Sequence, residues 1–193
     1  MSKSLRIILL WLAVVGGGLF ALIRYDATPA AAHTVLGHWP NQSSIIPENK
    51  RPIMIMAVHP QCSCTHASLN ELQRMLPRME NKARVVVLLL GKSGNRYEDA
   101  VSQMHLEFLR DPSGSEARRF GLTTSGEVAV YSAGGDLLYT GGITGARAHE
   151  GDNSGEDAAI AAVTGERTAQ KQAPVFGCEL NSGAQSDPAK ATY

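Results

Sequence analysis

The stretch "PIMIMAVHPQCSCTHASLNEL" (52–72) decides how this chain is read. Its first seven residues form a short apolar run with β-branched Ile53, Ile55 and Val58, the pattern of a buried strand. Two cysteines, Cys62 and Cys64, then stand one residue apart. From Thr65 onward, apolar Ala67, Leu69, Leu72, Met75, Leu76 and Met79 recur at helical spacing, and Pro77 is expected to end or kink the helix. Both thiols thus fall between a strand end and a helix N-terminus. Such a terminus carries about half a positive charge and free N–H groups that stabilise an anion. The thiolate is both nucleophile and metal ligand, so this position suits a redox couple or a metal clamp. Thr65 is expected to cap the helix.

Outward from this unit, strands and helices alternate. "ARVVVLLLG" (83–91) reads as a second buried strand, 95–105 as a helix, 106–111 as a short strand, and 114–122 as a short helix closed by Gly121. Residues 127–143 read as a hairpin turning at Ala133-Gly134-Gly135-Asp136, and 154–165 as a helix with Ser154 as N-cap and Gly165 past its end. This order, βα three times and then ββα, predicts an α/β domain over 52–180 with a mixed β-sheet flanked by helices. The polar end, 181–193, is expected to be a flexible tail.

The N-terminus carries a different signal. Leu5 to Ile23 holds one charge, Arg6, and nineteen helical residues span about 28 Å, close to the apolar thickness of a bilayer. Residues 1–24 therefore read as a single-pass transmembrane helix. Lys3 and Arg6 precede the apolar core, which puts the N-terminus in the cytoplasm and the rest outside. A cleaved signal sequence is the competing reading, because Ala30 and Ala32 offer an A-x-A site. Either way the domain lies where disulfides persist. Residues 25–51, with three prolines and no periodicity, read as a tether. Lys plus Arg and Asp plus Glu both number 18, and no basic stripe occurs, so nothing supports a nucleic-acid partner.

The element order and the cysteine position resemble the thioredoxin-like superfamily, whose redox cysteines follow the first central strand. More narrowly, "WP" (39–40), "HPQCSCTHASLNEL" (59–72), "TSGEVAVY" (124–131), "GGITGARAHEGDN" (141–153) and "PVFGCEL" (174–180) are similar to membrane-anchored RedB-type bacterial thioredoxin-like proteins. The resemblance implies a thioredoxin-like fold and a redox theme, and a bacterial cytoplasmic membrane protein facing the periplasm. The chain departs from ordinary thioredoxins in two ways. Its pair is Cys-x-Cys, and Thr123-Thr124-Ser125-Gly126 stands where the Thr–cis-Pro of that family precedes the hairpin.

The candidate catalytic residues are Cys62, Cys64 and Cys178. By its place relative to the strand end, Cys62 is expected to be the more exposed, attacking thiol. A bridge needs Cα atoms within about 7 Å, which residues two apart satisfy, but the small ring is strained. A strained disulfide is labile and oxidising, which favours giving a disulfide away. About 12 residues separate Gly165 from Cys178 and span about 40 Å extended, enough to return to the pair. Cys178 is then a resolving thiol or third ligand; otherwise it is a buried structural cysteine. Arg147, His149, Asp152 and Asn153 follow the hairpin on the cysteine side and are candidates to line the site. His59 and His66 read as surface histidines.

Two functions compete. One is a thiol–disulfide oxidoreductase acting on protein thiols or disulfides, without a cofactor. The other is copper binding or delivery, since soft thiolates suit Cu(I). A peroxidase fits less well: a threonine three residues before the reactive cysteine is expected there, and His59 or Gln61 occupies that place.

Overall fold

The computed structural model describes residues 2–31, 33–48, 50–91, 96–166 and 170–180; the expected tail lies outside them. Helix α1 spans Lys3–Asp26, and none of its residues is buried. It is long and apolar enough to cross a membrane. Then follow β1 (Ile53–Val58), α2 (Thr65–Met75), a 3₁₀ turn at Leu76–Met79, β2 (Arg84–Leu90) and α3 (Arg96–Gln103). The chain continues with β3 (Glu107–Asp111), α4 (Ser115–Phe120), β4 (Glu127–Tyr131), β5 (Leu137–Gly142) and α5 (Ser154–Thr164).

The sheet order is β3-β2-β1-β4-β5. The first three strands are parallel, and β4 and β5 join antiparallel as the hairpin. This is the expected thioredoxin-like layout. All six residues of β1 are buried, so both sheet faces need cover. On one face Met54, Met56 and Val58 pack with Leu69 and Leu72 of α2, Val101 of α3 and Ile160 of α5. On the other, Ile53, Ile55 and Ala57 meet Ala117 and Phe120 of the short α4.

One six-residue helix cannot cover that second face. The stretch expected as a plain tether supplies the rest: Val35 and Ile45 are buried there. Trp39 stands edge-on to Phe120 and Tyr131 at centroid distances of 4.9 and 5.3 Å. Residues 35–45 therefore belong to the core packing, although their sequence has no regular period. The N-cap of α5 also differs from expectation. Asn153 holds it, its side chain accepting from Glu156 N at 3.0 Å, and Ser154 is the first helical residue.

Candidate functional site

The tight turn after β1 carries the cysteine pair. Cys62 N donates to His59 O at 3.1 Å, and Thr65 N to Cys62 O at 3.2 Å. Cys64 is the N-cap of α2, so the pair sits on the helix N-terminus as the sequence predicts. Thr65 does not cap it. Its hydroxyl donates to His59 O at 2.8 Å and pairs with Ser125 Oγ at 3.0 Å. Cys62 and Cys64 are 1% and 2% exposed, so Cys62 is not the exposed thiol that was expected.

The cover over Cys62 comes from the C-terminal strap. After α5 the chain returns along β5, where Thr140 N donates to Lys171 O (3.0 Å) and Ala173 N to Thr140 O (3.1 Å). It then crosses to the loop ahead of β4. There Ser125 N donates to Cys178 O (2.8 Å) and Leu180 N to Thr123 O (2.7 Å). This is an antiparallel bridge centred on Thr124 and Glu179. Cys178 N donates to Cys62 Sγ at 3.3 Å. The return path inferred from chain length is thus the one taken, and it brings the three candidate cysteines together as free thiols.

The thiols differ in acidity. Burial pushes Cys62 up, but hydrogen bonds from the Cys178 side chain, the Cys64 and Cys178 backbone and the Ser125 hydroxyl outweigh it and leave its pKa lowered. Cys64 is raised, by burial first and by the charge on Cys62 second. Cys178 is pushed up to about 12 by burial, by its hydrogen bond to Cys62 and by the neighbouring thiolate charges, with Arg147 opposing. Of the three thiols, Cys62 is therefore the one whose thiolate is favoured, and Cys64 and Cys178 are the ones that hold their protons longer.

The loop after β5 contributes less than the sequence suggested. Arg147 is at the site: Nη1 donates to Gly177 O at 2.7 Å, and its guanidinium lies 4.9 Å from the Tyr25 ring centroid. Its backbone N donates to Asp26 O at 3.1 Å, so the end of α1 abuts this loop. Ala148, with φ 52°, gives Cys64 a backbone hydrogen bond. His149 is exposed, Asp152 pairs with Arg74 at 2.6 Å, and Asn153 is committed to capping. His66 is exposed and faces Asn70 and Glu150. His59 is half-buried, and burial lowers its pKa; its Nδ1 accepts from Gln61 N at 3.3 Å. Ser125 was missed as a site residue. It is fully buried and bonds His59 N at 2.9 Å as well as Thr65 and the Cys62 thiol. Its only sequence signal is its place just ahead of the hairpin. Among the described residues, no group of three or more His, Cys, Asp or Glu is arranged to hold a metal ion.

No family model matches the chain. No curated protein matches it either. Solved structures do. A hypothetical protein from Sinorhizobium meliloti aligns with TM-score 0.60 and 17% identity, over 79% of this chain and 97% of that one. An uncharacterized conserved protein from Geobacillus kaustophilus aligns with TM-score 0.56 and 15% identity, over 80% and 89%. A secreted Mycobacterium tuberculosis disulfide oxidoreductase homologous to E. coli DsbE aligns with TM-score 0.44 and 15% identity, over 61% and 83%. For the first two, at these identities, the likeness is one of fold.

Proposed function

We propose that this chain is a membrane-tethered thiol–disulfide oxidoreductase of bacterial origin, held by α1 with its domain on the periplasmic side. The observation that carries the reading is the geometry at Cys62: it lies at the N-terminus of α2, its Sγ accepts from Cys178 N at 3.3 Å, and Cys64 and Cys178 stand beside it, an arrangement that favours its thiolate. The Cys62 thiolate attacks one sulfur of a partner disulfide. A mixed disulfide forms, and the partner's other sulfur leaves as a thiolate that takes up a proton. A second cysteine, Cys64 or Cys178, loses its proton and attacks the Cys62 sulfur. The internal disulfide then closes, the partner's first sulfur is expelled, and two electrons have passed to the partner. Run backwards, the same steps give the partner a disulfide.

The second direction is favoured. Hydrogen bonds that stabilise the reduced thiolate make the oxidised form a better oxidant, and a Cys-x-Cys ring adds strain. No cofactor enters these steps. Copper delivery through the same cysteines is the weaker reading, because a three-donor cage is not formed among the described side chains. The test is disulfide exchange with a protein carrying a glutathione mixed disulfide. The pre-reduced parent is expected to release the glutathione in a single round, its own thiols closing to a disulfide, and Cys62→Ser to be inactive. Equal rates for the two would remove the proposal.

A further inference from the structure

The strap that covers Cys62 is built like a bound partner. Residues 177–180 add an extended segment to the loop 123–125 through two backbone hydrogen bonds, the mode by which free edges recruit peptides. Gly177 fits only because it lacks a Cβ: one added there would lie 1.9 Å from Ser125 O and 3.0 Å from Thr124 Cγ2. The following residue, Cys178, presents its N–H to Cys62 Sγ. Leu180 packs on the apolar cluster of Val35, Phe120 and Leu122. The remainder of the strap, 171–174, is tied separately to β5 through Thr140 and Gly142, so 177–180 can lift while 171–174 stays paired.

We infer that 177–180 is an internal substitute for the partner, a latch that closes the groove over Cys62, and that the partner which replaces it is an extended segment with glycine directly before its reactive cysteine. This rests on the oxidoreductase reading and names its partner class. When the latch lifts, Ser125 N, Thr123 O, Arg147 Nη1 and Cys62 Sγ lose their bonds to it. These are the groups an incoming extended chain would take up. A partner cysteine in the place of Cys178 has its sulfur beside the Cys62 thiolate. The space against Ser125 O then admits no side chain on the preceding residue. Cys62 attacks that sulfur, forming the mixed disulfide and releasing the partner's second sulfur as thiolate.

The test uses two peptides, acetyl-Val-Phe-Gly-Cys-Glu-Leu-amide and its Gly→Leu counterpart. Each carries 5-thio-2-nitrobenzoate on its cysteine as a coloured leaving group. The full chain with Cys64→Ser and Cys178→Ser, which has no second thiol, is compared with the same protein carrying Gly177→Ala. The Gly177→Ala protein is expected to release colour with the glycine peptide at least tenfold faster than its latched parent. It is also expected to prefer glycine over leucine at least tenfold. Rates within twofold in either comparison overturn the inference and leave the oxidoreductase reading standing. If no mixed disulfide forms in any combination, the oxidoreductase reading itself falls. Should Gly177→Ala fold poorly, amide hydrogen exchange on the Cys64→Ser, Cys178→Ser chain with Gly177 intact decides. With the glycine peptide on Cys62, Leu180 N–H is expected to lose protection and Ser125 N–H to keep it. Unchanged protection at Leu180 overturns the latch.

Discussion

Replacing Cys178 with alanine should raise the pH at which Cys62 is half-ionised by about one unit. The Cys62 thiolate takes hydrogen bonds from the Cys178 side chain and backbone, the Cys64 backbone and the Ser125 hydroxyl. The substitution removes only the thiol donor, since the N–H at 3.3 Å belongs to the backbone. A hydrogen bond to a charged group contributes about 1.5–3 kcal/mol, and a thiol is a weak donor, so about 1–1.5 kcal/mol is the expected loss. One pKa unit corresponds to about 1.4 kcal/mol, which converts the loss to about one unit. The reactive species is the thiolate, so alkylation of Cys62 at neutral pH should slow up to about tenfold. Iodoacetamide labelling across a pH series, read residue by residue by mass spectrometry, gives the midpoint. In the parent it should lie below the ordinary thiol value of 9.0. The sign also holds for stability. A pKa lowered by folding stabilises the native state above the unfolded value, and that contribution is lost as pH falls through the folded value. Cys178→Ser, with a stronger donor, should bring the midpoint back. An unchanged or lower midpoint in Cys178→Ala would refute the picture of Cys178 as donor.

Other consequences are open to test. Ser125→Ala removes bonds to His59 N, Thr65 and Cys62, so it should cost about 1–3 kcal/mol in urea unfolding and raise the Cys62 midpoint. A loss below the measurement error would contradict its buried role. Trp39→Ala should cost about 2–4 kcal/mol, because the ring packs against Phe120 and Tyr131 in the cover of the second sheet face. A neutral effect would mean that 35–45 is only a tether. Without residues 2–26 the protein should move from the membrane fraction to the soluble one. Retention after carbonate extraction would place the membrane contact elsewhere. Under the oxidoreductase account, copper titration of the reduced protein should give no stoichiometric site that is lost in Cys62→Ser; such a site would favour the metal reading.

Periodicity carried most of the fold. The buried runs of β1 and β2, the helical spacing of α2 and the turn at 133–136 are local signals, and each element lies where its pattern put it. The cysteine pair was legible for the same reason, since a strand end followed by a helix start is a local event. What the pattern did not carry was long-range. The docking of Trp39 depends on α4 being too short to cover the sheet, which no property of residues 25–51 announces. Chain length allowed Cys178 to return, but only the bridge at Thr124 and Glu179 fixes where it lands, and that same bridge buries Cys62. Ser125 acts through three partners distant in sequence, so its composition context is silent. His149 and Asp152 were misplaced because their loop turns away toward α2, where Glu71 holds Gly151 N and Arg74 holds Asp152.

The central claim is that these thiols exchange with disulfides. It is tested most directly by equilibrating the folded protein in graded glutathione redox buffers and mapping free thiols and bridges at each potential. The account predicts that Cys62 leaves the free-thiol pool in a single two-electron transition, bridged to Cys64 or Cys178. Three thiols that stay free at every potential, in a protein that remains folded, would contradict it.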